Sequence, residues 1–377
     1  MKFQASPITT LATLSKVLSV DEITLENLAR DPIYRPKSIP RKSGSPRALN
    51  IPCDKLKAIQ RRIVDRIFCH IYFHENLFGS IKDANSPRDY IRCAQKHCNA
   101  GIASLIDIEA FFDHVTSEHV ILIFKDFFNY SEEVSQKLAD LTTFNDSLPQ
   151  GAPTSPTIAN LVFFKDEPSV IKQCEREDVR YTRYLDDIIL THQDNSHQIQ
   201  RCRHRVVKMI EKSGFHVNQK KSTTHTRNSQ HLTALGIIIN FHNPRISKEE
   251  RRNTRAAVKN LENKARIANA RKGLEYHKLW HKTSGRLSKL QRLNYAEYSR
   301  LRSRMRKILP LSDDKERNRL YRLVNNLERN HKTINNVQAF TTTLDRATYR
   351  AGILGRSERL HADILLERLR SVRRAMT

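Results

Sequence analysis

Two adjacent carboxylates, Asp186 and Asp187, stand between two runs of strand-forming residues. Residues 179–184 are rich in β-branched and aromatic side chains, and residues 188–190 are wholly apolar. This pattern predicts a β-hairpin with Leu185 and the two Asp residues at its tip, since Asp is tolerated in turns. Because two neighbouring like charges repel each other, the tip is either a solvated turn or a site for a divalent cation, which prefers carboxylate oxygens.

A third carboxylate, Asp107, ends an earlier apolar run. Residues 102–106 predict a buried strand, and helix-compatible residues follow Asp107. An acidic strand end beside a hairpin that carries Asp186 and Asp187 is an arrangement that holds two Mg²⁺ ions for in-line phosphoryl transfer. A helix N-cap is the alternative interpretation of Asp107, but it leaves the partnership with the hairpin unexplained.

A rigid loop separates the two acidic segments. Residues 148–156 contain three prolines and one glycine. Ser155 followed by Pro156 predicts an N-cap and a first helical position, with a helix from about Thr157. A helix start can present backbone donors to a nucleotide or to a nucleic-acid backbone, although a plain loop-to-helix junction would look the same.

Basic residues decorate the segment from 33 to 60. Residues 43–46 give a turn signal between two short strands. Arg41 and Lys42 suit a solvated hairpin as well as a phosphate site, and the guanidinium fork of Arg47 is also suited to phosphate oxygens. Residues 54–76 have the apolar period of a core helix, whose basic outer face is available to a template.

Five segments in this order resemble the palm and fingers of a reverse transcriptase, most closely those of the bacterial retron and retron-like defence enzymes. The resemblance covers roughly residues 33–240. The segments are Asp107 with Phe112, Gln150-Gly151 with Ser155-Pro156 and Asn160, Tyr184-Leu185-Asp186-Asp187, Asn218-Gln219-Lys220-Lys221-Ser222, and Leu235-Gly236-Ile237-Ile238. Retrons tend to carry Asn-Ala-x-x-His before the first catalytic strand and Val-Thr-Gly near the last segment. This chain departs from both, with Cys93-Ala94-Gln95-Lys96-His97 and Ala234-Leu235-Gly236.

The resemblance implies an α+β fold of the right-hand polymerase type, with fingers, a palm built on an antiparallel sheet and an α-helical thumb. The expected division is N-terminal helices over 1–32, fingers over 33–100 joined by part of 115–160, palm over 101–240, and a basic helical thumb with a C-terminal extension over 241–377.

The same resemblance implies the roles of individual residues. Catalysis is assigned to Asp107, Asp186 and Asp187, and two Mg²⁺ ions, replaceable by Mn²⁺, are assigned to these three residues and Ile108. Nucleotide binding is assigned to Arg47, Phe112, Gln150 and Lys221. Primer and template contacts are assigned to Tyr184, Gly151, Ser155 and Gly236.

Three of these assignments predict where a residue lies. The ring of Phe112 would lie beneath the sugar of the incoming nucleotide and clash with a 2′-OH. Lys221 would stand near the pyrophosphate leaving group, although Lys220 is as suitable by charge alone. Gly236 is expected within a strand over residues 235–239, where a glycine allows close backbone approach.

Charge is concentrated at one end of the chain. The 377 residues carry a net charge of +26, and residues 245–377, with 34 Lys/Arg against 13 Asp/Glu, hold +21 of it. A field of this size favours a polyanionic partner, nucleic acid before a membrane surface. No apolar run approaches the roughly 20 residues that span a bilayer, no signal peptide opens the chain, and six scattered cysteines suit a reducing cytosol. We therefore expect a cytoplasmic protein without a membrane partner.

The basic last third reads as helices over 248–271, 275–283, 286–307, 313–331 and 345–374. A thumb that grips an RNA–DNA duplex by its phosphates is the functional interpretation, and a solvated basic bundle is the alternative. The single tryptophan, Trp280, is expected in the core and not on a base-stacking surface.

The function implied by the resemblance is RNA-directed DNA synthesis on a dedicated structured non-coding RNA. The expected partners are that RNA, its cDNA, dNTPs and the effector protein of an anti-phage defence system. Two alternatives stay open: a retron-like defence polymerase that makes repetitive or weakly templated DNA, and an RNA–DNA-binding scaffold that restrains a toxic effector.

Overall fold

The computed structural model describes residues 1–40, 46–83, 86–194, 196–331 and 337–376. The chain forms two compact units, Met1–Arg245 and Ile246–Thr377. Arg41, Lys42 and most of the expected turn at 43–46 lie outside the described residues. The finer division of the first unit into N-terminal helices, fingers and palm stays a prediction.

Strands and helices alternate along the first unit. Its described strands are β1 (Lys2–Phe3), β2 (Tyr34–Ile39), β3 (Arg47–Pro52), β4 (Ile71–Tyr72), β5 (Leu77–Phe78), β6 (Ile102–Asp107), β7 (Arg180–Tyr184), β8 (Asp187–His192), β9 (Thr223–Thr226), β10 (Thr233–Ala234) and β11 (Ile237–Ile238). Its described helices are α1 (Leu11–Leu18), α2 (Glu22–Arg30), α3 (Asp54–Arg66), α4 (Tyr90–Lys96), α5 (Phe111–His114), α6 (Ser117–Leu122), α7 (Glu132–Thr142), α8 (Ser155–Leu161), α9 (Glu167–Arg176) and α10 (Ser196–Lys212). A 3-10 helix covers Phe68–His70, and a π-helix covers Ile123–Phe127.

A five-stranded sheet forms the centre of the first unit, in the order β5-β7-β8-β6-β9. β5 runs parallel to β7, and the other neighbours are antiparallel. Helix α10 packs against β6 and β8, and α9 and α4 pack against β7. The apolar run at 188–190 is buried, as expected for a central strand that is covered on both faces. The predicted hairpin with a carboxylate tip is therefore confirmed.

Helix α3 is shorter than the sequence indicates. It ends at Arg66, and the chain continues through the 3-10 helix into β4, where Ile71 pairs with Phe3 of β1. Two of the side chains expected on a template-facing surface are used internally. Arg62 donates to the carbonyl oxygens of Leu18 and Ser19 at the end of α1, at 2.8 and 2.7 Å, and Arg66 donates to the carbonyl of Val17 at 2.6 Å. Both arginines satisfy helix-end carbonyls that would otherwise lack partners.

The regular elements of the second unit are all helices within its described residues, and a 3-10 helix covers Ala270–Lys272. Its helices are α11 (Lys248–Ala265), α12 (Leu274–Arg292), α13 (Glu297–Arg306), α14 (Asp314–Asn330), α15 (Val337–Leu354) and α16 (Arg359–Arg374). The predicted break near Gly285 is wrong, because α12 runs through that residue and ends before Asn294, which is left-handed at φ 55°. The predicted helix over 345–374 is two helices that share a core with α14. Trp280 is buried, as expected.

The expectation of reduced cysteines has a counterpart in the structure. All six cysteines are free thiols. Within the described residues, no helix combines the length and the apolar character needed to cross a bilayer.

Candidate active site

Asp107 and Asp187 face each other across two neighbouring strands. Asp107 is the last residue of β6, Asp187 is the first residue of β8, and the two are paired in the antiparallel register. Asp186 lies in the two-residue turn between β7 and β8, after Leu185, whose φ of 56° is left-handed. The three acidic residues assigned to catalysis thus lie at the same end of the sheet.

A turn at residues 218–222 encloses Asp107. The N–H of Asn218 donates to the carbonyl oxygen of Asp107 at 2.8 Å, and the N–H of Asp107 donates to Oγ of Ser222 at 3.0 Å. Nζ of Lys221 donates to the two carboxylate oxygens of Asp107 at 3.1 and 3.3 Å. The turn therefore fixes both the backbone and the carboxylate of Asp107. Sequence reasoning found Lys221 but missed Asn218 and Ser222, whose residue types are those of a turn that bonds its own backbone.

The electrostatics of the three carboxylates favour a cation. The pKa of Asp187 is raised to about 6, chiefly by burial and then by the negative charges of Asp186 and Asp107, while the positive charge of Lys221 acts in the opposite direction. A buried carboxylate beside like charges is stabilised when a positive charge joins it. The ammonium group of Lys221 already occupies such a position at Asp107.

Hard divalent cations suit this donor set, because Mg²⁺ and Mn²⁺ prefer carboxylate oxygens. In the described ranges, the side chains as placed do not bring three or more His, Cys, Asp or Glu residues close enough together to hold a metal ion. Ile108, the fourth assigned ligand, has a buried side chain, and its N–H donates to the carbonyl oxygen of Asp186 at 3.1 Å. This bond ties the end of β6 to the carboxylate turn, while a ligand role for Ile108 stays a prediction.

Gln150 and Gly151 lie against the β2–β3 hairpin. The N–H of Asn50 in β3 donates to the carbonyl oxygen of Gln150 at 2.9 Å, and Nε2 of Gln150 donates to Asp113 at 3.4 Å. Gly151 has a φ of +128°, and a Cβ there would stand 3.0 Å from the carbonyl oxygen of Asn50. Gly151 is therefore required by backbone conformation and by close approach. Arg47 begins β3, and its side chain lies outside the described part of the structure.

Ser155 holds the same loop from inside. It is the first residue of α8, with Thr154 at the N-cap, so the predicted N-cap at Ser155 is displaced by one residue. The buried hydroxyl of Ser155 donates to the carbonyl oxygen of Pro149 at 2.8 Å. This bond closes the loop that carries Gln150, and it makes Ser155 a residue that shapes the loop.

The two neighbouring phenylalanines have different environments. Phe111 is buried and stacks with Phe163 at a centroid distance of 5.8 Å. Phe112 is half-buried, and its carbonyl oxygen accepts a bond from the N–H of Leu148 at 3.0 Å. Phe111 is thus the core residue of the pair, which leaves the ring of Phe112 as the candidate for contact with a nucleotide sugar.

Tyr184 and Gly236 lie at two different turns. Tyr184 pairs with Asp187 in the hairpin and with Phe78 of β5, and burial raises the pKa of its half-buried hydroxyl. Gly236 was expected within a strand, but it lies in the two-residue turn between β10 and β11 after Leu235, with φ of 75° and 51° respectively. A Cβ at Gly236 would meet no atom within 4 Å. Its glycine is therefore explained by the left-handed turn and not by close approach. Primer contacts by either residue stay predictions.

Comparison with known proteins shows the family to which the chain belongs. Residues 39–239 match the family model described as reverse transcriptase (RNA-dependent DNA polymerase). The retron Ec48 reverse transcriptase of Escherichia coli is 29% identical over 94% of this chain and 89% of its own length. The retron Se72 reverse transcriptase of Salmonella heidelberg (strain 579083-10) is 29% identical over 83% of each chain. Among solved structures, telomerase from Candida albicans in complex with a fragment of telomeric RNA aligns with 91% of this chain and 65% of its own, at 10% identity and a TM-score of 0.42, a likeness too distant to support a conclusion.

The predicted resemblance to retron enzymes and the predicted right-hand polymerase fold are thereby confirmed. The chain belongs to the reverse transcriptase family, the RNA-directed DNA polymerases, and its relatives within that family are retron reverse transcriptases.

Proposed function

We propose that the protein copies a dedicated structured RNA into cDNA by nucleotidyl transfer at Asp107, Asp186 and Asp187. Family membership gives the polymerase activity. The observation that carries the proposed site is the pairing of Asp107 with Asp187 across β6 and β8, with Asp186 in the adjoining turn.

Bound divalent cations would lower the pKa of the attacking primer hydroxyl and neutralise the pyrophosphate that leaves. Asp107, Ile108, Asp186 and Asp187 would hold them. Lys221 supplies a positive charge at Asp107, where it stabilises the negative charge that develops on the leaving group.

The other assigned residues divide between nucleotide and nucleic acid. Arg47, Phe112 and Gln150 would bind the incoming dNTP, and the bond between Asn50 and Gln150 supports a shared role for the β2–β3 hairpin and the loop. Primer and template positioning is proposed for Tyr184, Gly151, Ser155 and Gly236.

A cationic face on α14 supports RNA as the partner of the second unit. Lys315, Arg319, Arg322 and Arg329 are exposed, and their spacing places them along one side of the helix. The buried residues Leu320, Val324 and Leu327 lie on the opposite side. Across the described residues, no ion pair engages any of these four cations. We call these four residues the α14 stripe; a basic stripe of this kind is the footprint of a nucleic-acid partner.

The biological setting follows from the retron relatives and is part of the same proposal. The RNA would serve as template and scaffold, and the RNA–cDNA product would act with an effector protein in anti-phage defence, in the cytoplasm. Synthesis of repetitive DNA, or a scaffold role that restrains the effector, would replace this proposal if the tests below fail.

The decisive experiment replaces the carboxylate pair with Asp186→Asn and Asp187→Asn. The purified variant should retain its RNA and lose primer extension on a homopolymer template–primer, and sequencing of nucleic acid that copurifies with the wild type should give one RNA and one defined cDNA. Heterogeneous or repetitive DNA would favour the alternative polymerase. Full defence by the variant against phage would favour the scaffold.

A further inference from the structure

Arg183 and Glu167 form an ion pair whose side chains are both wholly buried. Arg183 lies in β7, three residues before Asp186, and Glu167 is the first residue of α9. Nε of Arg183 donates to Oε1 of Glu167 at 2.6 Å, and Nη2 donates to Oε2 at 2.7 Å, so the pair is bidentate. The hydroxyl of Tyr181 donates to the same Oε1 at 2.7 Å.

The remaining donors of this guanidinium hold backbone carbonyl groups. Nη1 of Arg183 donates to the carbonyl oxygen of Leu185 at 3.3 Å, within the carboxylate turn. The same side chain donates to the carbonyl oxygens of Ala159 and Asn160, at 3.4 and 2.9 Å. Both of these residues belong to α8, the helix that begins at the end of the Gln150 loop. One planar group therefore joins the carboxylate turn to the element that carries the proposed nucleotide loop.

The turn has a particular need for support. Leu185 holds a φ of 56°, which side chains of its size rarely adopt. Such a conformation persists only where the surrounding structure determines it. Asp187 is held by its strand pairing with Asp107 and Tyr184. A rotation at Leu185 would therefore be taken up within the turn, where it would move the carboxylate of Asp186 relative to that of Asp187.

Stability alone does not account for the pair. Burying two charges costs solvation free energy, and the attraction between them offsets this cost only when their geometry is good. A pair of apolar residues of similar volume often gives the same stability or more. Because neither side chain is exposed, neither can contact a substrate. We infer that Arg183 and Glu167 are positioning residues for nucleotidyl transfer, which hold Leu185 in its left-handed conformation and thereby fix Asp186 and Asp187. This inference rests on the proposed role of those two carboxylates.

The test is the apolar double variant Arg183→Leu with Glu167→Leu. We expect its melting temperature to fall less than that of the core variant below, because only the buried hydroxyl of Tyr181 and the bonded carbonyl groups lose a partner. We expect kcat to fall by about 10²-fold, as for a misplaced reacting group, and KM for dNTP to change much less. Mn²⁺ affinity, measured by electron paramagnetic resonance without nucleotide, should weaken. Leu138→Ala, a core substitution in α7, is the control: it should lower the melting temperature and leave kcat and Mn²⁺ affinity unchanged at a temperature where it is folded.

The results separate a positioning role from a structural one. Wild-type kcat and Mn²⁺ affinity in the double variant would overturn the inference. If the double variant does not fold, Glu167→Gln and Arg183→Lys are measured instead at low temperature, with kcat expressed per folded molecule by circular dichroism; a loss that disappears after this correction would also overturn it. Asp187→Asn, assayed in parallel, distinguishes the two proposals, since its retained activity would refute the catalytic site itself.

Discussion

The ammonium nitrogen of Lys221 lies 3.1 Å from Oδ1 of Asp107. The turn that carries Lys221 also bonds the backbone N–H and the carbonyl oxygen of Asp107. The neighbouring Lys220, equally suitable by charge, is not in this position. The structure therefore distinguishes between two lysines that the sequence leaves equivalent.

Lys221→Ala should reduce kcat by about 10²-fold, because a group that donates to or stabilises a leaving oxygen contributes on that order. Lys220→Ala is the matched control and should stay near wild-type activity. Single-turnover primer extension measures the chemical step directly. Equal losses in the two variants would show that general positive charge matters, and not the contact with Asp107.

Asp187→Asn should stabilise the metal-free protein at neutral pH. The pKa of Asp187 is raised to about 6, chiefly by burial and then by Asp186 and Asp107, while Lys221 opposes the rise. A carboxylate with a raised pKa is easier to ionise in the unfolded chain, so its destabilising effect is absent below about pH 4, grows as the pH rises to about 6 and is complete above it. With allowance for partial exposure, the gain from the substitution is about 2 kcal/mol at pH 8.

Melting temperatures measured in EDTA at pH 5 and pH 8 check this expectation. The difference between Asp187→Asn and wild type should be larger at pH 8. Added Mg²⁺ should raise the melting temperature of the wild type and leave the variant nearly unchanged, since the carboxylate that the cation relieves has been removed. A stabilisation independent of pH would contradict the stated cause.

The carboxylate site was predictable because its signals are local. Alternation and the apolar run at 188–190 indicate the hairpin, and the residue types at 218–222 indicate a turn. They do not show which of its two lysines contacts Asp107. Helix α3 shows where such reasoning ends: Ile71 continues the helical spacing, but it pairs with Phe3, nearly seventy residues away in the chain. A contact of that separation leaves no mark on the local pattern.

Buried charge was the second thing that the sequence could not show. Arg183 and Glu167 look like exposed residues, since charged side chains are rarely buried unless paired, and nothing in their spacing indicates the pairing. Gly236 illustrates a third case, because a glycine among apolar residues fits both a strand and a left-handed turn. The φ of its neighbour Leu235 decides between them, and φ is a property of the folded chain.

Phe112→Val should relax sugar selection. Phe112 is half-buried beside the core residue Phe111, so a smaller side chain would make room for a 2′-OH without opening the core. The expected result is a rise of at least about tenfold in the ratio of ribonucleotide to deoxynucleotide incorporation, since each 1.4 kcal/mol of relieved clash is tenfold. Phe111→Val is the contrasting variant, which should lower the melting temperature and leave this ratio unchanged. An unchanged ratio in Phe112→Val would remove Phe112 from the nucleotide site.

Neutralising the α14 stripe should weaken RNA binding and reduce its dependence on salt. Each phosphate contact contributes about 0.7 for single-stranded and about 0.9 for duplex nucleic acid to the slope of log K against log salt concentration, so Gln at all four positions should lower the slope by up to about 3 to 4.

The control for the stripe changes Arg370 and Arg374 to Gln, because both already pair with Glu367 on the surface of α16. For each charge removed, this control variant should lower the salt slope less than the stripe variant does. Binding is measured by fluorescence anisotropy between 50 and 300 mM salt, a range of about sixfold in which slopes of this size are resolved. Primer extension on a homopolymer template at saturating concentration should survive in the stripe variant, because the proposed chemistry lies in the first unit. An unchanged salt slope would show that α14 does not contact phosphates, and the positive charge of the second unit would then have to act through its other helices.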